Sequence, residues 1–189
     1  MEIYFIRHTT PLIAKGICYG QSDVPCDPEK FENEFTSIAA KLPSDIDSIF
    51  TSPLQRCKEL ACSIQQAKYP HLPVISDTRL KEINFGKWEL QHWDMISNQD
   101  LSQWMDDFVS RQIPGGESYR DLYNRSVTFY ATVVRENRNA IIVTHSGVIR
   151  SILCHALGTK LEDSFNYYQL PYGHISGLKI TEEQAVRIR

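Results

Sequence analysis

A chain of 189 residues with 42% hydrophobic content can bury one sizeable core and is too short to require two. Its 20 basic and 23 acidic residues are spread along the chain and leave a formal charge of −3, which excludes a broad basic face for nucleic acid or an anionic membrane. No apolar run approaches the roughly 20 residues that a bilayer crossing needs, and Met1 leads straight into Ile3-Tyr4-Phe5-Ile6 without a basic region or cleavage site, so a cytoplasmic location is expected.

The first element is Glu2 to Arg7, whose β-branched and aromatic residues read as a buried strand with His8 at its C-terminal end. A loop through Gly16, Gly20, Pro25 and Pro28 leads to Phe31, Phe35, Ile38, Ala39 and Leu42, and their spacing predicts a helix ending near Pro43. Ser48 to Phe50 reads as a second strand. Thr51-Ser52-Pro53 then supplies a cap with proline at the first helical position, which puts Arg56 in the first turn or so. Val74-Ile75 reads as a third short strand. Gly86 to Gly116, with Trp88, Trp93, Trp104 and Phe108, lacks strand character and is expected to be a helical insertion over the sheet. Ser118, or the Gly115-Gly116 turn before it, opens a helix to about Asn137, and Ala140 to Thr144 is a β-branched strand followed by His145. Ser146-Gly147 begins a helix through about Leu157, and His174 to Ile180 and Ala185 to Ile188 read as late antiparallel strands.

Strands alternating with helices imply an α/β chain: a three-layer α/β/α sandwich with a largely parallel sheet, forming one domain over 1–189 with the cap at about 86–116. Ligands of such sheets collect beyond the carboxyl ends of the strands. His8 and His145 both stand at such ends, so the topology itself is expected to bring them together. The five cysteines form an odd set without a C-x-x-C pair, which fits reduced thiols packed as small core residues.

The residues at these strand ends suit one kind of ligand. Arg7 places a fork-shaped cation beside the His8 imidazole, and Arg56 and His145 add charge and donors around a common oxyanion, as a phosphoryl group requires. A neutral histidine can act as nucleophile, dividing hydrolysis into two easier steps through a phosphohistidine, and positive neighbours favour the neutral form. Phosphoryl transfer chiefly needs positioning and preorganised positive charge, to which the helix start at Ser146-Gly147 adds an anion site. Glu82 is the candidate proton donor to the leaving oxygen, with Glu89 and Glu117 as the alternative carboxylates. This design calls for no cofactor and no metal, and His71, His92, His155 and His174 show no shared ligand spacing. Trp88, Trp93, Trp104 and Tyr119 are read as packing in the cap rather than as pocket walls.

Arg7-His8-Thr9, Thr51-Ser52-Pro53-Leu54-Gln55-Arg56, Glu82-x-x-Phe85-Gly86-x-Trp88-Glu89 and Val143-Thr144-His145-Ser146-Gly147 occur in the order found in the histidine phosphatase, or phosphoglycerate-mutase-like, superfamily, and the chain resembles that family over nearly its whole length. The resemblance implies that His8 is the phosphorylated nucleophile, Glu82 the proton donor, and Arg7, Arg56 and His145 the phosphate pocket. Within the superfamily, Arg7-His8-Thr9-Thr10-Pro11 and Lys15-Gly16-Ile17-Cys18-Tyr19-Gly20-Gln21-Ser22-Asp23 look most like the alpha-ribazole-5′-phosphate phosphatases of cobalamin biosynthesis. The family pattern has Gly and Glu after the arginine-histidine pair and then a phosphate-holding asparagine. Here Thr9, Thr10 and about Ile13-Ala14 stand there, and Gln21 or Ser22 is the expected substitute in substrate binding, alongside Ser146.

The expected partner is a small phosphomonoester, with room for a homodimer. The rival functions are a phosphoglycerate mutase or another sugar-phosphate phosphatase, and a catalytically silent phosphate-binding module. The short chain leaves little space for the longer insertion that keeps water from a mutase phosphohistidine. Both a nucleophile and an acid candidate are present, against the silent module.

Overall fold

The structure, a computed structural model, describes residues 1–181 and 184–189. The alternation of side chains along a strand decides its layers. In β1 (Glu2–Arg7), Ile3 and Phe5 enter one core and Tyr4 and Ile6 the other; in β4 (Ala140–Thr144), Ala140 and Ile142 join the first and Ile141 and Val143 the second. These two strands pair in parallel, Ile3 opposite Ala140 and Arg7 opposite Thr144. With β2 (Ser48–Thr51), β3 (Val74–Ser76), β5 (Ile175–Ile180) and β6 (Ala185–Arg187) they form a sheet ordered β3-β2-β4-β1-β5-β6. β1 to β4 run parallel, while β5 is antiparallel to both β1 and β6.

Each face is covered by helices. Phe31 and Ile38 of α1 (Pro28–Ala39) and Cys57, Leu60, Ala61 and Ile64 of α2 (Gln55–Lys68) pack on one core. The other face receives Leu122, Phe129 and Val133, together with Val148, Ile149 and Ile152. The three-layer α/β expectation is therefore met, including the largely parallel sheet.

Local chemistry sets the helix limits. Asp27 caps α1 by accepting the Glu29 N–H at 3.0 Å, with Pro28 at the first helical position. Helix α2 corrects the expected start at Pro53: it begins at Gln55 after an extended Leu54, and the Gln55 N–H donates to Asp23 Oδ1 at 2.7 Å. The cap that the Thr-Ser-Pro sequence suggested is supplied from a loop distant in sequence. The insertion is also less helical than expected. It holds two single 3₁₀ turns, Gly86–Trp88 and Trp93–Met95, and one nine-residue helix, α3 (Asn98–Asp106). Positive φ at Gly86 and Leu90 interrupts any longer helix, and a Cβ on Gly86 would lie 2.4 Å from the Pro114 carbonyl oxygen.

Beyond the insertion, Ser118 and Asp121 form a reciprocal capping box for α4 (Tyr119–Glu136), which ends on left-handed Asn137. α5 (Ser146–Leu157) follows directly on β4 and closes on Gly158. A short helix, α6 (Ser164–Tyr167), was not anticipated from periodicity. Cys18, Cys26, Cys57 and Cys154 are buried free thiols and Cys62 is half-buried. No helix of the described residues is long and apolar enough to cross a membrane.

Candidate active site

Parallel pairing of β1 and β4 leaves His8 and His145 side by side just past the strand ends. The His8 N–H donates to the Thr144 carbonyl at 3.0 Å, and the imidazole centroids are 5.1 Å apart. His8 is 2% exposed and His145 fully buried. A carbonyl oxygen only accepts, so the 2.7 Å contact between His8 Nδ1 and Thr9 O places the ring proton on Nδ1. Burial first, then the charges of Arg56 and Arg7, holds the His8 pKa well below the usual imidazole value. The neutral ring therefore keeps its lone pair on Nε2. His145 is held neutral in the same way, by burial foremost and Arg56 next. Arg56 Nη2 approaches His145 Nδ1 at 3.4 Å, which leaves Nε2–H to donate to Ser52 Oγ at 2.8 Å.

These shifts carry a pH signature. An unfolded chain protonates both imidazoles near pH ~6.5, whereas the folded chain resists until a lower pH. Stability present above about pH 6.5 is therefore lost as pH falls toward the folded values, at about 1.4 kcal/mol per pH unit for each imidazole. Thermal melts between about pH 8 and about pH 5 should show a melting temperature that declines below about 6.5. A flat profile across that window would contradict two neutral imidazoles.

The positive charge is arranged without carboxylate partners. Arg56, fully buried in the first turn of α2, donates from Nη1 to the Ser22 carbonyl at 2.9 Å and from Nη2 to the Gly20 carbonyl at 2.7 Å. Arg7 donates to the Leu170 carbonyl. Neither forms an ion pair among the described residues, and each Nε is a buried donor with no acceptor. Buried donors are ordinarily satisfied, so two converging guanidiniums with spare N–H groups mark a place for oxyanions.

Glu82 is fixed at the start of α5. Its Oε2 accepts the Gly147 N–H at 3.2 Å and the Ser146 hydroxyl at 3.4 Å, and its Oε1 accepts the Ile83 N–H at 3.0 Å. No side chain of the helix's own N-cap, His145, serves this end, so the carboxyl takes the capping place. A Cβ on Gly147 would lie 2.3 Å from Glu82 Oε1, so any larger residue there would push the carboxyl out of this place. The alternative carboxylates stand elsewhere. Glu89 accepts the Gln21 and Phe85 N–H groups and the Ser22 hydroxyl, and Glu117 pairs with Arg125 at 2.8 Å.

Arg7, His8, Arg56, Glu82 and Ser146 share a cavity of about 190 Å³. Gln21 and Ser22 are not brought to it. The Gln21 amide donates to the Glu82 carbonyl at 3.0 Å and Ser22 Oγ to Glu89, so both brace the loop around Arg56 and do not substitute for the missing asparagine. Trp93, Trp104 and Tyr119, expected to be packing, line the cavity with Phe85, Phe108 and Phe165, while Trp88 is buried behind them. Arg150 was missed. It lies four residues after Ser146 on α5, borders the cavity over the Phe165 ring at 4.4 Å and has no ion pair among the described residues. That i to i+4 spacing was readable from the sequence. Tyr172, over Arg7, stands in a loop with no motif to signal it. Among the described residues no group of three histidine, cysteine or acidic side chains is placed to hold a metal ion.

The sequence pattern of the Histidine phosphatase superfamily (branch 1) matches residues 3–188. The chain belongs to the histidine phosphatase superfamily. A provisionally named phosphoserine phosphatase 2 from Hydrogenobacter thermophilus is 29% identical over 189 residues, covering 95% of this chain and 92% of the relative. The adenosylcobalamin/alpha-ribazole phosphatase of Escherichia coli K12 is 23% identical over 98% of this chain and 93% of its own length. Among solved structures, the alpha-ribazole phosphatase from Shigella flexneri superposes with a TM-score of 0.88 at 23% identity, covering 99% of this chain and 94% of that one. The chain is thus a phosphatase-type member of the superfamily with the phosphoglycerate-mutase-like fold.

Proposed function

We propose that the chain hydrolyses phosphomonoesters through a phosphohistidine on His8. The observation that carries this reading is the neutral His8 ring, its Nδ1–H committed to Thr9 and its Nε2 free beside Arg7, Arg56 and His145. Nε2 attacks phosphorus, the N–P bond forms as the ester P–O bond breaks, and Glu82 gives its proton to the departing alkoxide. Water then attacks phosphorus, its proton passes to Glu82 and the N–P bond breaks, so one ester and one water yield an alcohol and inorganic phosphate. Arg7 and Arg56 stabilise the equatorial oxygens throughout, while His145, fully buried and with its Nε2–H given to Ser52, accepts from Arg56 and supports that guanidinium from outside the cavity lining.

The guanidiniums supply the charge that a divalent ion would otherwise bring. Full turnover in the presence of a chelator is the expected result, and activity lost to chelation and restored by one divalent ion would overturn it.

Among substrates, alpha-ribazole 5′-phosphate is the leading candidate in this reading. It is supported by the aromatic walls of Phe85, Trp93, Trp104 and Phe108, which suit a flat apolar leaving group, and by the relatives named for it. One observation favours a second reading. The unpaired Arg150 cation on the same wall suits an acidic leaving group such as that of phosphoserine. Phosphate release measured across alpha-ribazole 5′-phosphate, phosphoserine, 3-phosphoglycerate, sugar phosphates and nucleotides tests both. A preference for sugar phosphates or nucleotides would overturn both.

A further inference from the structure

Two like-charged guanidiniums that border one cavity must be held in place by something that does not cancel their charge. A carboxylate would orient them but neutralise the field that a phosphate needs. Here each arginine is covered by a tyrosine ring: Tyr172 lies 4.0 Å from the Arg7 guanidinium carbon and Tyr19 lies 5.0 Å from that of Arg56. An aromatic face attracts the cation and leaves its N–H edge free to donate. The two phenol oxygens meet at 2.9 Å, joining chain segments 153 residues apart. The Tyr172 ring also stands 5.5 Å from that of His8.

From this arrangement we propose that Tyr19 and Tyr172 are positioning residues, a hydrogen-bonded strap that holds Arg7 and Arg56 in register over His8 for phosphate. Tyr19 stands in the segment Lys15 to Asp23 that carries the narrower family resemblance, which assigns it no role, and Tyr172 belongs to none of the motif blocks. The need for a strap is visible in the surroundings. Arg7 borders not only the inner cavity but also an outer groove of about 990 Å³, lined by Lys15, Lys30, Tyr19 and Tyr172. Without a ring above it, the Arg7 side chain has a second space to occupy. Burial raises the Tyr19 hydroxyl pKa, so it stays protonated and the tie remains an O–H···O bond.

The inference rests on the phosphate reading of the site, and direct binding separates the two. Calorimetric titration of inorganic phosphate into the wild type, Tyr19→Phe, Tyr172→Phe and the double variant reads affinity without turnover. Each Phe variant keeps its ring and breaks the same hydrogen bond, so each should weaken phosphate about threefold and the pair together should lose no more than either alone. Tyr172→Leu, which removes the ring, should weaken binding about tenfold. Melting temperatures of the Phe variants should match the wild type. Unchanged affinity in both Phe variants, losses that multiply in the double variant, or losses that track a fall in melting temperature would each overturn the strap. Failure of the wild type itself to bind phosphate would overturn the site reading and the strap with it.

Discussion

His8→Ala is expected to lower phosphate release by about 10⁴-fold or more, because the residue removed is the covalent relay and its neighbours cannot act on an ester without it. The side chain is buried and donates to Thr9, so the alanine variant leaves a small void and an unpaired carbonyl. His8→Asn retains an amide that can donate to the same carbonyl and should be as inactive, which separates loss of the nucleophile from loss of fold. Rapid quenching at alkaline pH, where a phosphoramidate survives, should trap phosphate on His8 in the wild type. Label recovered on a serine or cysteine, or wild-type turnover in either variant, would refute the phosphohistidine.

Glu82→Gln is expected to have the next largest effect, and one that depends on the leaving group. An alkoxide is a strong base that departs poorly without a proton, so phosphorylation of His8 by an alkyl phosphate should slow by about 10²–10⁴-fold. An activated aryl phosphate, whose leaving oxygen needs no proton, should suffer far less. Glu82 serves the Gly147 and Ile83 N–H groups with separate oxygens and glutamine has only one, so a modest fall in melting temperature is expected, and it is the contrast between the two leaving groups that reports the acid role. Initial phosphorylation rates for both substrates, measured beside thermal melts, make the comparison. Equal losses on both would remove Glu82 from the acid role.

The layers of this fold were readable because the strands β1 and β4 are short, apolar and followed at once by helices or loops bearing histidine. Their parallel pairing then leaves His8 and His145 little choice of place. Arg56 and Glu82 were readable from the motif blocks in which they sit. Tyr19 and Tyr172 were not, because what gives them meaning is a contact between loops far apart in the chain. Gln21 and Ser22 misled for the converse reason: polar residues near an arginine resemble ligand donors, yet their side chains serve Glu82 and Glu89 in bracing the loop. The aromatic insertion was ambiguous by nature. The same rings pack against one another and face the cavity, and composition alone cannot say which surface of Trp93 or Trp104 is turned to a ligand.

The sheet order has a bearing on how the molecule comes into being. β1 is flanked by β4 and β5, both of which lie in the last third of the chain. During synthesis at about 5–20 residues per second, the apolar run Ile3 to Ile6 therefore waits about 7–30 s for its first strand partner. Throughout that interval it is an unpaired hydrophobic segment, and the ribosome must release most of the chain before any central pairing can begin. Loop closure over such a span makes the β1–β4 step slow and exposes the nascent chain to aggregation. A histidine pair built across that same junction cannot exist in any half-made chain, so catalytic competence waits until β4 has been made and has paired with β1.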